Sequence, residues 1–367
     1  MKIVHFSDLH LDSTFAWAGA SGDAARQRRQ ALRDTLRRIA DLTREAGADA
    51  LFCGGDLFEH ERASPDTAEF LRRTFGDLTP VPVYLAPGNH DWYGPDSLYA
   101  RVEWSQNVHV FREAAFQPVQ LTDGVTLWGA AHQAPANTDN FLDEFRADGP
   151  GIHLALFHGA ERSWFSEQDE GKQPHAPFDA SQIGEAGFHH AFLGHYHRPK
   201  DAERHTYPGN PDPLAFGEDG VRGAVVATIG LDGSVTRERR VVAQTKVYDF
   251  DLDVTGCTTQ QQVRDRLAER VDGLGGFARL TLLGDFEPSV SLGEDDLRDV
   301  MGGFDAVRMD FAQLQSGYDI ESLRREQTVR GRFVSDVLEA ELPPDEQRRV
   351  LTTGLRALEG RDDLEVL

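Results

Sequence analysis

Five short polar clusters within the first 200 residues, each directly behind an apolar run, constrain this 367-residue chain more than any other feature. They are Asp8-Leu9-His10, Gly54-Gly55-Asp56, Gly88-Asn89-His90-Asp91, His158-Gly159 and Gly194-His195-Tyr196-His197. The runs before or overlapping them, KIVHF, ALFCGG, VYLAPG, HLALFH and HAFLGH, read as buried strands. A single DLH or GGD behind a strand would be an ordinary polar turn. Five in series are strand-end loops that can converge on one site.

Seven side chains in these loops, Asp8, His10, Asp56, Asn89, His158, His195 and His197, offer oxygen or imidazole nitrogen and no thiolate. That set suits manganese, iron or zinc better than a calcium cage or a closed structural zinc site. It exceeds what one tetrahedral ion takes and suits two ions sharing a bridging carboxylate. Two such ions clamp the attacking and leaving oxygens of a phosphoryl displacement and lower the pKa of a bound water. His90 remains as the group that protonates the leaving oxygen, with Asp91 either holding its ring or supporting its charge.

The order D-x-H, GGD, GNHD, H-G and GHxH resembles the calcineurin-like metallophosphoesterases. The resemblance implies an α/β fold of two packed mixed β-sheets flanked by helices, a four-layer sandwich. It further implies that Asp8, His10, Asp56 and His197 hold one metal, that Asp56, Asn89, His158 and His195 hold the other, and that Asp56 is the bridge. His90 takes the place of the catalytic histidine. The surrounding segments HFSDLHLDSTF, GDLFE, APGNHDWY and YPGNPDPLAFGEDGVRGAVV are similar to the SbcD-like DNA repair exonucleases, strongly to about residue 245 and loosely beyond. One departure stands out. Some relatives carry a second active-site histidine where this chain has Glu59, with His60 beside it. By this likeness the chain takes two divalent ions, manganese first with iron(II) or zinc as alternatives. It acts on DNA, forms a homodimer and meets an SbcC-like ATPase with a long coiled coil.

The length accommodates about two domains. Residues 1–244 alternate strand and helix signals, with helices over 23–46 and 65–75 and later strands over 107–111, 118–131, 152–157, 189–193, 222–230 and 234–243. Residues 245–318 follow a β-α-β-α-β pattern that reads as a small α/β cap domain. Residues 319–367 are a helical tail with apolar stripes Val329, Phe333, Val337 and Val350, Leu351, Leu355, Leu358. Such helices dock on their own domain or present a partner surface.

No apolar run reaches the ~18 residues of a membrane span, and MKIVHFSD leads into a strand rather than a signal peptide. The expectation is a soluble, cytoplasmic protein without membrane association. Cys53 and Cys257 are far apart and form no CxxC, so neither a thiolate zinc site nor a disulfide framework is implied. The net charge of -23 opposes nucleic acid in general, although arginine far outnumbers lysine and favours bidentate phosphate contacts. Arg26, Arg28, Arg29, Arg33, Arg37 and Arg38 read as the solvated face of the first helix, opposite Leu32, Leu36 and Ile39, with a phosphate-tracking face as the alternative. Trp92 and Tyr93 either pack inward or stack on a base. A DNA nuclease is therefore set against a phosphodiesterase or phosphatase for small nucleotides and against a scaffold that has lost catalysis.

Overall fold

The computed structural model describes residues 1–15, 22–164, 174–286 and 292–360, so the last seven residues of the expected tail lie outside it. The chain divides into two compact units, Met1–Val247 and Tyr248–Leu367. In the first unit, β1 (Lys2–Phe6), α1 (Gly22–Glu45), β2 (Ala50–Cys53), α2 (Pro65–Gly76), β3 (Val83–Leu85), α3 (Leu98–Arg101) and β4 (Val108–Val110) come first. They are followed by β5 (Gln117–Thr122), β6 (Val125–Gly129), β7 (Ile152–His158), α4 (Ala180–Glu185) and β8 (His190–Gly194). Last come β9 (Lys200–Asp201), β10 (His205–Tyr207), β11 (Gly223–Ile229) and β12 (Val235–Val241).

These strands form two six-stranded sheets, ordered β12-β11-β1-β2-β3-β4 and β5-β6-β7-β8-β10-β9. Both are mixed. Strands β1 to β4 run parallel, with β11 antiparallel to β1, and β6, β7, β8 and β10 run parallel, with β5 and β9 antiparallel at the edges. The sheets face one another across a core in which Ile3, Phe52 and Val225 of the first meet Leu127, Leu156 and Phe192 of the second. On the far side of the second sheet, Phe157 and Trp128 pack with Ile183 of α4 and with Phe116, Phe178 and Phe188. Central strands buried on both faces explain the continuous apolar runs.

Helix α1 packs against β1 and α2 through the fully buried Leu32, Leu36 and Ile39. Helix α2 starts where Ser64 caps the Thr67 amide and Pro65 supplies a first-turn residue with no amide to satisfy. The expected strand over 118–131 is two strands, because Gly124 turns the chain at a φ of 75° between β5 and β6. The short β9, β10 and α4 carry too few residues for periodicity to reveal them. Arg28 corrects the reading of α1 as an evenly solvated arginine face. Its side chain is 1% exposed and pairs with the buried Asp212 at 2.8 Å. The neighbouring Arg33 and Arg38 do lie outward, paired with Asp66 and Glu45 at 2.6 Å each.

The second unit contains β13 (Val247–Asp253), α5 (Gln260–Val271), β14 (Gly276–Phe286), α6 (Glu294–Leu297) and β15 (Phe304–Ser316) in a sheet ordered β13-β14-β15. Val263 and Leu267 of α5 pack with Leu280 and Leu282 of β14. Helices α7 (Ile320–Arg324), α8 (Val329–Glu339) and α9 (Pro344–Leu358) close on a second core of Leu323, Val334, Val337, Leu351 and Leu355. The anticipated stripes hold at Val337, Leu351 and Leu355, which are buried, and at Phe333, which packs against this core, and fail at their ends. Val329, Val350 and Leu358 are 75%, 38% and 47% exposed, while Val334, outside the period-four pattern, is fully buried.

Candidate metal centre

The parallel strands β1, β2 and β3 end beside one another in the first sheet, and β7 and β8 do so in the second. Their C-terminal loops bring the five clusters together, at the position where α/β sheets commonly place sites. Asp8, His10 and His197 form one group of potential donors, Asp8, Asp56 and His158 a second, and His10, Asp56 and His90 a third. Within each group the ligand atoms lie within 4.8 Å of one another. Asp8, His10 and Asp56 each belong to two groups. The ring of His195 lies 5.2 Å from that of His158, and its amide donates to Asp8 at 3.0 Å. His195 completes none of the tight groups among the described residues.

The backbone at these positions is strained in a consistent way. Asp8, His10 and Asp56 take the left-handed region at φ of 55°, 48° and 51°, and His195 sits at 120°. Non-glycine residues rarely adopt such angles, and clusters of them occur where a functional geometry is imposed. The glycines make room for the side chains. A Cβ on Gly88 would lie 2.7 Å from the Asp56 amide nitrogen and 2.8 Å from Nδ1 of His158.

The donor set fits divalent metal. Nε2 of His10, Oδ1 of Asn89 and Nε2 of His158 are buried and have no hydrogen-bond partner among the described residues. Buried polar atoms are rarely left so. Nδ1 of His158 lies 2.9 Å from the Gly54 carbonyl, which can only accept, so Nε2 keeps its lone pair for a cation. Burial works against charge on His158, but the Asp56 carboxylate at 3.3 Å outweighs it and raises the pKa to about 9 in the metal-free chain. Burial likewise opposes the Asp56 charge, and the surrounding histidines overcome it and hold its pKa well below the usual range. His195 goes the other way, because burial and the nearby His158 keep it neutral.

His90 stands apart. It is the most exposed histidine of the set, with 46% of its side chain accessible, and its amide donates to Oδ1 of Asp56 at 2.8 Å. Nδ1 of its ring meets Glu59 Oε2 at 3.1 Å. That hydrogen bond raises the His90 pKa to about 9 against the cost of burial, with smaller help from the Asp56 and Asp91 charges. Glu59 itself is held at about 2, since hydrogen bonds from His10 and His90 overcome its burial.

The expected grip of Asp91 on the His90 ring is corrected by this geometry. Asp91 points inward, fully buried, and accepts from the amides of Asp56, Leu57 and Gly88 at 3.0, 2.7 and 2.6 Å and from the Tyr99 hydroxyl at 2.6 Å. It ties the GGD loop to the GNHD loop. Burial and the Asp56 charge raise its pKa to about 6. Two glutamates were missed as contributors. Glu59 was visible only as the departure from the histidine of some relatives, and Glu218, 2.7 Å from Nδ1 of His197, lies in a loop without a motif. His132, which meets the His158 carbonyl at 2.8 Å, gave no sequence signal either. Trp92 stacks on His60 at 3.9 Å between centroids and is only partly buried, so neither it nor the partly buried Tyr93 is a core residue.

The sequence pattern of the family described as calcineurin-like phosphoesterase matches residues 1–199, more than half of the chain. DNA double-strand break repair protein Mre11 of Methanopyrus kandleri is 25% identical over 240 residues, covering 59% of this chain and 50% of that protein. The chain thus spans about half the length of this curated relative. Two solved structures overlap with it in part. TT1561 of Thermus thermophilus shares 12% identity over 65% of this chain and 98% of that one, with a TM-score of 0.38. Yfce, a phosphoesterase from E. coli, shares 13% over 65% and 99%, with a TM-score of 0.29. Among the described residues no helix is long and apolar enough to cross a membrane. The family match and the buried donor groups agree: the chain belongs to the calcineurin-like phosphoesterases, and its donor groups fit divalent metal.

Proposed function

We propose that the chain is a two-metal phosphodiesterase that cuts DNA in repair, as an SbcD-like exonuclease or endonuclease. The observation that carries the chemistry is the set of buried atoms on His10, Asn89 and His158 that lack a hydrogen bond, the two imidazole nitrogens facing the Asp56 carboxylate, with the exposed His90 beside them. DNA as substrate is supported by the flanking segments and by the likeness to a double-strand break repair protein.

Asp8, His10, Asp56 and His197 would hold one ion, and Asp56, Asn89, His158 and His195 the other, with manganese favoured and iron(II) or zinc as alternatives. Bound there, the ions supply a nucleophilic water at neutral pH and neutralise charge on the phosphate. The protein does the rest. Asp56 and Asp8, fixed by backbone amides, set the spacing of the two positions. Glu59 is ionised and can only accept, so His90 donates from Nδ1, and the raised pKa of the ring leaves a second proton on Nε2 for the leaving sugar oxygen. Asp91 keeps the loops of Asp56 and His90 in register. The protein works in the cytoplasm as a homodimer beside an SbcC-like coiled-coil ATPase.

Manganese-dependent hydrolysis of bis-p-nitrophenyl phosphate should fall at least about 100-fold in His90→Ala. Activity retained in that variant contradicts the role of His90. A second reading, a phosphodiesterase for small nucleotides, is favoured by the net charge of -23. Labelled single- and double-stranded DNA beside a panel of cyclic and dinucleotides separates the two. Degradation confined to the small nucleotides would replace the DNA reading.

A further inference from the structure

The histidines of the metal centre are not backed alike. His10 and His197, grouped with Asp8, each present Nδ1 to a glutamate, Glu59 at 2.8 Å and Glu218 at 2.7 Å. Glu218 is itself fixed, accepting from the Leu214 amide at 2.6 Å, the Ala215 amide at 3.3 Å and the Asn210 side chain. His158, grouped with Asp8 and Asp56, gives its Nδ1 proton to the neutral Gly54 carbonyl at 2.9 Å. Among the described residues no carboxylate accepts from Nδ1 of His158 or from the ring of His195.

This difference acts directly on metal affinity. A carboxylate on Nδ1–H draws that proton away, enriches Nε2 in electron density and adds a negative charge close to the cation, whereas an amide carbonyl polarises the ring only weakly. Removing such an outer partner typically costs 10- to 100-fold in metal affinity. On one side of the centre there are two such partners.

We propose that the two ions are held unequally, the ion at Asp8, His10 and His197 binding first and tightly and the ion at His158 and His195 exchanging readily. Glu59 and Glu218 set the order. The inference rests on the two-metal reading above, and Glu218 is its better probe because Glu59 also holds His90.

The test is a manganese titration of the metal-stripped full chain, followed by calorimetry and by the free manganese signal in electron paramagnetic resonance. Two steps should appear, at least about tenfold apart. Glu218→Gln should weaken the first step by about 10- to 100-fold and leave the second where it was, with Glu218→Asp intermediate. His195→Ala should remove the second step and spare the first. Two equal steps in the unaltered chain, or equal weakening of both by Glu218→Gln, overturn the proposal and leave two-metal binding standing. Binding of fewer than two ions overturns the two-metal reading, and the proposal with it. Because the unaltered chain is titrated without any substitution, a folding defect in one variant leaves the test in force.

Discussion

The carboxylate of Glu59 lies 3.1 Å from Nδ1 of His90, the imidazole proposed to protonate the leaving group. A carboxylate in that place favours the protonated ring, and His90 must be protonated to act, so activity is lost as pH rises through its pKa. Glu59→Gln keeps the shape and removes the charge. At saturating manganese the alkaline limb of kcat should move to lower pH by roughly one unit or more. A pH–rate profile with bis-p-nitrophenyl phosphate reads this, and an unmoved alkaline limb would separate Glu59 from the acid.

Asp91 is a structural residue of the metal loops by its hydrogen bonds, and its variants should be read in stability first. Asp91→Ala leaves three buried amides and the Tyr99 hydroxyl without their acceptor. Unfolding in urea should show a loss of at least about 3 kcal/mol, and Tyr99→Phe a loss of about 1.5–3 kcal/mol. An Asp91→Ala protein as stable as the parent would contradict the loop-tying role.

The Arg28–Asp212 pair is almost wholly removed from water, and Asp212 also accepts from Thr35 at 3.0 Å and from the Thr245 amide at 3.1 Å. Arg28→Met strands that carboxylate and should cost about 3–5 kcal/mol. The double variant Arg28→Met with Asp212→Leu should lose less than the sum of the two single losses. Strict additivity in the denaturation series would show that the two residues do not act as a pair.

Three buried histidines make stability fall in acid. Burial holds His5 and His205 at about 4 and His190 at about 3, with the Arg239 or Arg237 charge adding to the effect. In the unfolded chain each titrates near the ordinary histidine value of about 6.5. The unfolded state therefore takes up protons first. Their contribution is complete above pH 6.5 and is lost as pH falls from there toward 4, by up to about 1.4 kcal/mol per pH unit for each histidine. Melting temperatures measured across that window should drop steadily and should drop less in His190→Gln. A flat profile contradicts the assignment.

The five clusters were legible because each lies at the end of a mostly apolar run, and the parallel order of β1, β2 and β3 carries the loops to one end. Asp91 supports the His90 charge but does not hold its ring, because adjacent side chains in a tight loop leave the backbone in different directions. Here the two part, one into the core and one into solvent. Glu59 meets His10 from 49 residues away, across two different loops, which spacing alone does not encode. Glu218 is 21 residues beyond His197, in a loop placed by the return of the chain into β11. Arg28 could have been found. It lies four residues before Leu32 and eight before Leu36, on the buried stripe of α1 itself, and its charge concealed that position.

The central claim is a pair of ions bridged by Asp56, with His90 outside their coordination. Diffraction from crystals soaked in manganese, recorded at the manganese absorption edge, tests it directly. The account predicts two anomalous peaks about 3.5–4 Å apart, with Asp56 between them and His90 bound to neither. A single peak, or two peaks without Asp56 between them, would contradict it.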